Sequence, residues 1–164
     1  MRISFKDLLE ADIYGQYDGG FNKRYEWEDF YKNHKNKTLI AQKAEYVLYR
    51  VGSSTYYLVD ADDGYLGYME LTKNNEYFAI SNTHSSMKGG FYDIIFGLLI
   101  EHKHDIKILS DNKLSTNAMK SYVNLHNSAK FSIALYDNGN ILDFDVGVLE
   151  SKSNIRVLVT AREG

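Results

Sequence analysis

A glycine pair between a strand-like run and an amphipathic segment is the part of this sequence best suited to bind a ligand. Lys88, Gly89 and Gly90 form the turn, and Phe91 begins the amphipathic segment. The first turn of a helix exposes backbone N–H groups without intrahelical partners and the positive end of the helix dipole, and both attract anions. We therefore expect a phosphate or diphosphate site at residues 88–91, although a glycine pair can also serve only as a turn.

The composition predicts one soluble domain and argues against several classes of protein. The chain has 164 residues, of which 44% are hydrophobic and 25% are charged, and these values fit a single domain over residues 1–164. A net charge of -3 and the absence of cysteine argue against general nucleic-acid binding, a disulfide framework and a thiolate site. The apolar runs are too short to cross a bilayer, so we expect no membrane contact and a cytoplasmic location.

The first half of the chain predicts helices followed by an antiparallel meander. Helical spacing and an aromatic, charged segment predict N-terminal helices within residues 4–40. Beyond them, runs rich in β-branched and aromatic residues are separated by short turns of Gly, Ser, Asp and Asn, which is typical of strands joined by hairpins. The predicted strands are residues 46–51, 55–59, 65–71 and 76–81.

In the second half, predicted helices and strands alternate. Apolar residues at helical spacing predict a helix from Phe91 to about residue 102, and Ser115 is a suitable N-cap for a second helix. The predicted strands here are residues 106–109, 131–136 and a tail strand pair, 141–149 and 155–160. We therefore predict an α+β (mixed) fold in which an antiparallel meander runs into a βαβαβ half. Its core would cover residues 45–136, with helices on both faces of a mixed sheet.

Two motifs resemble the GNAT superfamily, the acyl-CoA-dependent N-acetyltransferases, and in particular its divergent phage members. In that family a meander strand often carries an acidic turn followed by a hydrophobic-Gly step. The segment Asp62-Asp63-Gly64-Tyr65-Leu66-Gly67-Tyr68 is similar to this pattern. The second predicted helix is similar to the family pattern Asn-x-x-Ala-x-x-x-Tyr-x-x-Leu, and it reads Ser115-x-x-Ala118-x-x-x-Tyr122-x-x-Leu125. The resemblance covers residues 55–136.

The pyrophosphate loop of that family, Gln/Arg-x-x-Gly-x-Gly/Ala, corresponds to residues 86–91. Gly89 matches the first glycine, whereas Ser86 replaces the Gln or Arg and Phe91 replaces the second Gly or Ala. An aromatic side chain at this position is expected to hinder the approach of the diphosphate to the backbone. Gly90 and Lys88 are expected to compensate in part.

The resemblance implies acetyl-CoA as the cofactor and an unidentified amine as the acceptor. Acyl transfer needs a base, donors for an oxyanion and an acid for the thiolate. The resemblance assigns the acid to Tyr122, and the candidate bases are His84 and Glu76, with Glu70 as a further choice. The expected cofactor-binding residues are Ser81, Asn82, Lys88, Gly89, Gly90, Phe91 and Ser115.

Other functions remain open. The main alternative is a GNAT-shaped protein without catalysis that binds a host or virion protein as an assembly factor. A two-histidine phosphoesterase would use the pair of motifs His84-x-Ser86 and His126-x-Ser128. However, His126 falls at the end of a predicted helix instead of on a strand. His102 and His104 lack a carboxylate or cysteine partner at the spacing of a metal site.

Overall fold

The computed structural model describes residues 37–62 and 64–162, which contain nine strands and three helices. The strands are β1 (Lys37–Lys43), β2 (Tyr46–Val51), β3 (Thr55–Asp60), β4 (Tyr65–Asn74), β5 (Tyr77–Ser85), β6 (Ile108–Leu109), β7 (Phe131–Asp137), β8 (Asn140–Asp143) and β9 (Arg156–Ala161). The helices are α1 (Phe91–His102), α2 (Thr116–Ser128) and α3 (Val146–Ser151).

The strands form a mixed sheet, which confirms the predicted α+β class. Their hydrogen-bonded order is β1-β2-β3-β4-β5-β6-β9-β7-β8. The chain forms two compact units, which are described in turn. Among the described residues, the first unit comprises 37–62, 64–70 and 83–91, and the second comprises 71–82 and 92–162.

The first unit is the predicted meander. Strand β2 pairs antiparallel with β1 and β3, and β3 pairs antiparallel with β4. The turn between β3 and β4 is held by the Asp60 carboxylate, which accepts the N–H groups of Asp62 at 2.9 Å and Gly64 at 2.8 Å. One face carries the buried cluster of Val47, Tyr57, Val59, Tyr65 and Tyr68. The apolar side chains of the β-rich runs therefore meet as the sequence indicates.

The second unit contains the alternation of helices and strands. Strand β5 is parallel to β6, and β9 is antiparallel to both β6 and β7. Strand β9 thus lies between β6 and β7, so these two strands run in the same direction without being neighbours. The core of this unit includes fully buried side chains of α1, β6 and β7: Ile95, Phe96, Leu99, Ile108 and Leu135.

The structure corrects two predictions at the ends of the chain. The N-terminal helices within residues 4–40 lie outside the described residues up to residue 36, but residues 37–40 belong to β1 and not to a helix. The tail strand pair was also wrong. Residues 146–149 are helical because the Asp145 carboxylate caps α3 by accepting the N–H of Val148. Strands β8 and β9 pair with β7 from opposite sides and not with each other.

Candidate functional site

The glycine turn ends at the first residue of α1, as the sequence predicts. Gly89 has φ +127° and Gly90 has φ +79°, and no other group lies within 4 Å of the position that a β-carbon would occupy on either residue. Positive φ values are strained for residues with a β-carbon, so the turn requires glycine. Lys88 is exposed beside it. The turn therefore presents open backbone and one cation at the start of a three-turn helix.

The side chain of Phe91 lies in the interior of the first unit and not in the turn. It is only 5% exposed, and its ring packs against the α-carbon of Gly67. A β-carbon on Gly67 would lie 2.5 Å from Phe91 Cε1 and 2.6 Å from the carbonyl oxygen of His84. The expected obstruction by an aromatic ring is therefore absent. Only the backbone of Phe91 can belong to an anion site.

Ser86 anchors the start of the turn. Its N–H donates to the carbonyl oxygen of Leu66 at 2.9 Å, and its hydroxyl donates to the same oxygen at 3.1 Å. The next residue, Met87, donates its N–H to the hydroxyl of Ser85 at 3.0 Å. Ser86 thus fixes the loop to β4, a role different from that of a charged or amide side chain that reaches a phosphate.

His84 lies on β5 against the tyrosine cluster of the first unit, and not in an exposed loop. Its Nδ1 is 2.7 Å from the hydroxyl of Tyr65, and its ring stacks on the rings of Tyr65 and Tyr68 with centroids 5.9 and 6.1 Å away. These contacts fix the orientation of the imidazole, which a catalytic base requires. Next to it, the hydroxyl of Thr83 is buried without a hydrogen-bond partner in the described part of the chain.

In the second unit, β5 and β6 separate after a short ladder. They pair only at Phe78 with Ile108 and Ala79 with Leu109. The residue after β6, Ser110, instead bonds to β9: its N–H donates to the carbonyl of Val157 at 2.9 Å, and its hydroxyl accepts the N–H of Val157 at 2.7 Å. Strand β5 continues beyond this ladder.

Ser81 and Asn82 lie on that continuation of β5 and are exposed. Both were expected to bind the cofactor, and the structure places them on β5 beyond its last residue paired with β6.

Tyr122 lies inside the second unit on α2. Its side chain is 1% exposed, and its ring contacts the rings of Tyr92 at 5.2 Å and Phe96 at 6.3 Å between centroids. Burial, and to a lesser degree Tyr92 and the nearby carboxylate of Asp111, raises the pKa of the Tyr122 phenol well above its usual value. The phenol therefore keeps its proton at neutral pH, the state required of a proton donor.

The first turns of α1 and α2 each contain a side-chain interaction. Ser115 caps α2 by accepting the N–H of Ala118 at 3.1 Å, which confirms the predicted cap. In the first turn of α1, the carboxylate of Asp93 is held by the ammonium of Lys130 at 3.0 Å. A carboxylate here competes with an external anion for the helix dipole, and Lys130 offsets that competition.

Glu76 lies in the turn before β5 and is ion-paired with Lys107 at 2.7 Å. Both side chains are more than a third exposed, so the pair contributes little to folding. The hydrogen bond and charge of Glu76 raise the pKa of Lys107. Glu70, the further candidate base, is half-buried on β4 in the first unit.

The candidate residues thus fall into two groups. The first unit contains His84, Lys88, Gly89, Gly90 and Phe91, and the second contains Glu76, Ser81, Asn82, Ser115 and Tyr122. The turn of the first group has room for a diphosphate beside its backbone, because no other group lies within 4 Å of the β-carbon position of either glycine. Within residues 37–62 and 64–162, no cluster of three or more His, Cys, Asp or Glu could hold a metal ion.

Two features of the structure have weak or no signals in the sequence. The first is the packing of Phe91 against Gly67. In the sequence this packing is indicated only by the occurrence of a glycine inside a strand pattern, which often marks the close approach of another group. A polar cleft in the second unit, lined by Tyr77, Tyr136 and Arg156 among others, had no local signal because its residues come from separate turns and strands.

Comparisons with known proteins found similar chains only among solved structures. No family model matches the sequence, and no curated protein matches it. Thirteen chains of solved structures match, one of which is described as "Putative acetyltransferase from GNAT family from Bacteroides thetaiotaomicron". It is 12% identical, covers 100% of this chain and 87% of its own, and has a TM-score of 0.39. None of the described helices has the length and apolar character that a membrane crossing demands.

Proposed function

We propose that the chain is a GNAT-like acyltransferase that binds acetyl-CoA through its diphosphate at residues 88–91 and transfers the acetyl group to an amine. The observation that carries the proposal is the double-glycine turn, open on both glycines, at the N-terminus of α1. Backbone N–H groups at a helix start are suited to phosphate oxygens. Lys88 adds a positive charge at the same place.

Residues with chemistry suited to the transfer step occur in each of the two units. Acetyl-CoA would supply an activated acyl thioester. The phenol of Tyr122, which is buried and protonated at neutral pH, is the proposed acid for the departing thiolate. His84, oriented by the hydroxyl of Tyr65, is the proposed base, and Glu76 is the alternative base. A phage origin and a cytoplasmic location, both suggested by the sequence, belong to the same proposal.

A thermal-shift titration with acetyl-CoA tests binding. A ligand at one hundred times its Kd stabilises the folded state by about 2.7 kcal/mol, which raises the unfolding temperature by several degrees. We expect Lys88→Glu to abolish this shift, because it reverses the charge beside the turn without placing a β-carbon at a positive φ. Lys152→Glu makes the same charge change at an exposed residue beyond α3 and should retain the shift. No shift with millimolar acetyl-CoA in the unmodified chain would refute the proposal.

A GNAT-shaped binding protein without catalysis is the second candidate. It is favoured by the role of Ser86, whose hydroxyl bonds to a backbone carbonyl of β4 where the family has a side chain for the pyrophosphate. A thiol-release assay with acetyl-CoA and a panel of polyamine, amino-acid and peptide amines separates the two. Release that depends on an amine and is lost in Tyr122→Phe supports the transferase. Binding without release for every amine supports the second candidate.

A further inference from the structure

A polar cleft of about 810 Å³ lies wholly within the second unit. Three separate turns contribute to its wall: the β4–β5 turn at Asn74 and Asn75, the β7–β8 turn at Asn138 and Gly139, and the chain before β9 at Asn154. Its volume falls within the roughly 300–1,000 Å³ of ligand pockets. None of the expected cofactor-binding residues lines it, and of the candidate bases Glu76 alone does.

The cleft contains an aromatic surface beside a cation. The rings of Tyr77 and Tyr136 meet edge to face with centroids 5.2 Å apart. Tyr136 on β7 is the register partner of Arg156 on β9, so their side chains project from the same face of the sheet. In residues 37–62 and 64–162 the guanidinium of Arg156 takes part in no ion pair. The cleft therefore offers a ring surface and a planar set of donors together.

The charges of the cleft balance. Asp137 also lines it and, within the described ranges, forms no ion pair, so one carboxylate accompanies the cation of Arg156. The carboxylate of Glu76 is already paired with Lys107. Among the described residues the lining contains one basic residue, Arg156, and Asp137 offsets its charge, so a ligand with several negative charges would gain little net attraction. The electrostatics thus favour a ligand without net charge.

Side-chain amides make up much of the polar lining. Asn75, Asn138 and Asn154 have φ of 58°, 47° and 66°, a turn conformation that asparagine tolerates well. Their backbone conformation explains why asparagine occurs there, but it leaves the amide groups available. Asn112, in the loop after β6, adds another amide and is not in a turn of this kind. Each amide offers both a donor and an acceptor, as each hydroxyl of a polyhydroxy ligand requires.

We propose that this cleft binds a neutral oligosaccharide of two or three sugar units. The C–H face of a sugar ring would pack on Tyr136, and its hydroxyl groups would bond to Arg156, Asp137 and the amide of Asn112. The proposal does not depend on acyl transfer. A site for an extended sugar chain explains why aromatic, amide and charged groups from distant segments meet in one open cleft.

Saturation-transfer difference NMR tests this proposal with maltotriose, cellotriose and chitotriose as probes. We expect at least one of these sugars to receive saturation from the protein, and the signal to fall at least fivefold in Asn112→Ala. Asn124→Ala removes the same amide from the exposed surface of α2 and should leave the signal unchanged. Tyr136→Ala should also abolish the signal, with the amide spectrum showing that the chain remains folded.

Three results would overturn the proposal. The first is that none of the three sugars receives saturation at millimolar concentration. The second is a signal equal in the unmodified chain, Asn112→Ala and Tyr136→Ala, which would place the sugar elsewhere. The third is stronger binding of ATP than of any of the three sugars in the cleft, which would contradict the inference that the ligand is neutral.

Discussion

Replacing Gly67 by alanine should destabilise the chain strongly, because His84 of β5 and Phe91 of α1 leave no space for a β-carbon on Gly67 of β4. The added β-carbon would lie 2.5 Å from Phe91 Cε1 and 2.6 Å from the carbonyl oxygen of His84. The ring could move slightly, but the oxygen belongs to the backbone of a strand and can shift only with that strand. The two overlaps can therefore be removed only if the ring and the backbone of β5 both move.

Overpacking a close-packed site usually costs about 1–3 kcal/mol, and the backbone contact puts Gly67→Ala near the upper end of that range. The contribution of the ring can be isolated with Phe91→Leu, since leucine lacks the Cε1 atom. In the double variant the contact with the His84 oxygen remains at 2.6 Å, whereas the contact of 2.5 Å with Cε1 is removed and at most a Cδ atom, 3.0 Å away in phenylalanine, remains. The cost of Gly67→Ala should then fall by about 1 kcal/mol, a coupling typical of residues in contact.

Urea unfolding, with the midpoint and slope fitted for each variant, measures these differences. Gly97→Ala provides the matched control, because a β-carbon there meets only the ring of Phe131 at 3.9 Å. It lies inside α1, where alanine is favoured over glycine by about 1 kcal/mol, so this variant should be more stable. If Gly67→Ala unfolds at the same midpoint as the unmodified chain, or if its cost is unchanged by Phe91→Leu, the proposed packing is wrong.

Three further predictions concern the second unit. Ser110→Ala should cost about 1–3 kcal/mol in urea unfolding, because it leaves the buried N–H of Val157 without its acceptor; a cost near zero would contradict the bond to β9. Ser115→Ala should cost about 1 kcal/mol through loss of the α2 cap, and a helix content and midpoint equal to the unmodified chain would argue against the cap. The pKa of Tyr122 is raised in the folded chain, so above about pH 10 the unfolded chain binds fewer protons at this residue than the folded chain does. The free energy of unfolding should therefore fall as the pH rises above about 10. This decline should be shallower in Tyr122→Phe, and equal pH profiles would exclude Tyr122 as its source.

Most of the helices and strands were predicted correctly because apolar spacing and turn residues, which specify them, lie close together in the sequence. Helix α1 begins and ends where the apolar spacing indicates, and the turns of the meander fix β2, β3 and β4. Strand β1 escaped prediction because four of its seven residues are exposed, which gives no alternation of apolar and polar residues. Helix α3 was missed because the β-branched residues Val146 and Val148 favour strand, whereas the cap at Asp145 prevails.

Strand pairing and side-chain contacts between distant segments could not be predicted from the sequence. Nothing near residues 156–161 indicates that β9 lies between β6 and β7, because that order depends on pairing between distant segments. The orientation of Phe91 is a similar case. Its type suggested an obstruction of the turn, but the space above Gly67, a residue distant in sequence, accommodates the ring. The exposed glycine turn itself was predicted because glycine at a strand-to-helix junction is a local signal.

The most direct measurement of the central claim is an amide NMR titration of the ¹⁵N-labelled chain with acetyl-CoA. If the diphosphate binds to the start of α1, the amide signals of residues 88–91 should shift most, and Lys88→Glu should abolish those shifts. Saturation by millimolar acetyl-CoA with these four signals unmoved, or with the largest shifts elsewhere in the chain, would contradict the claim.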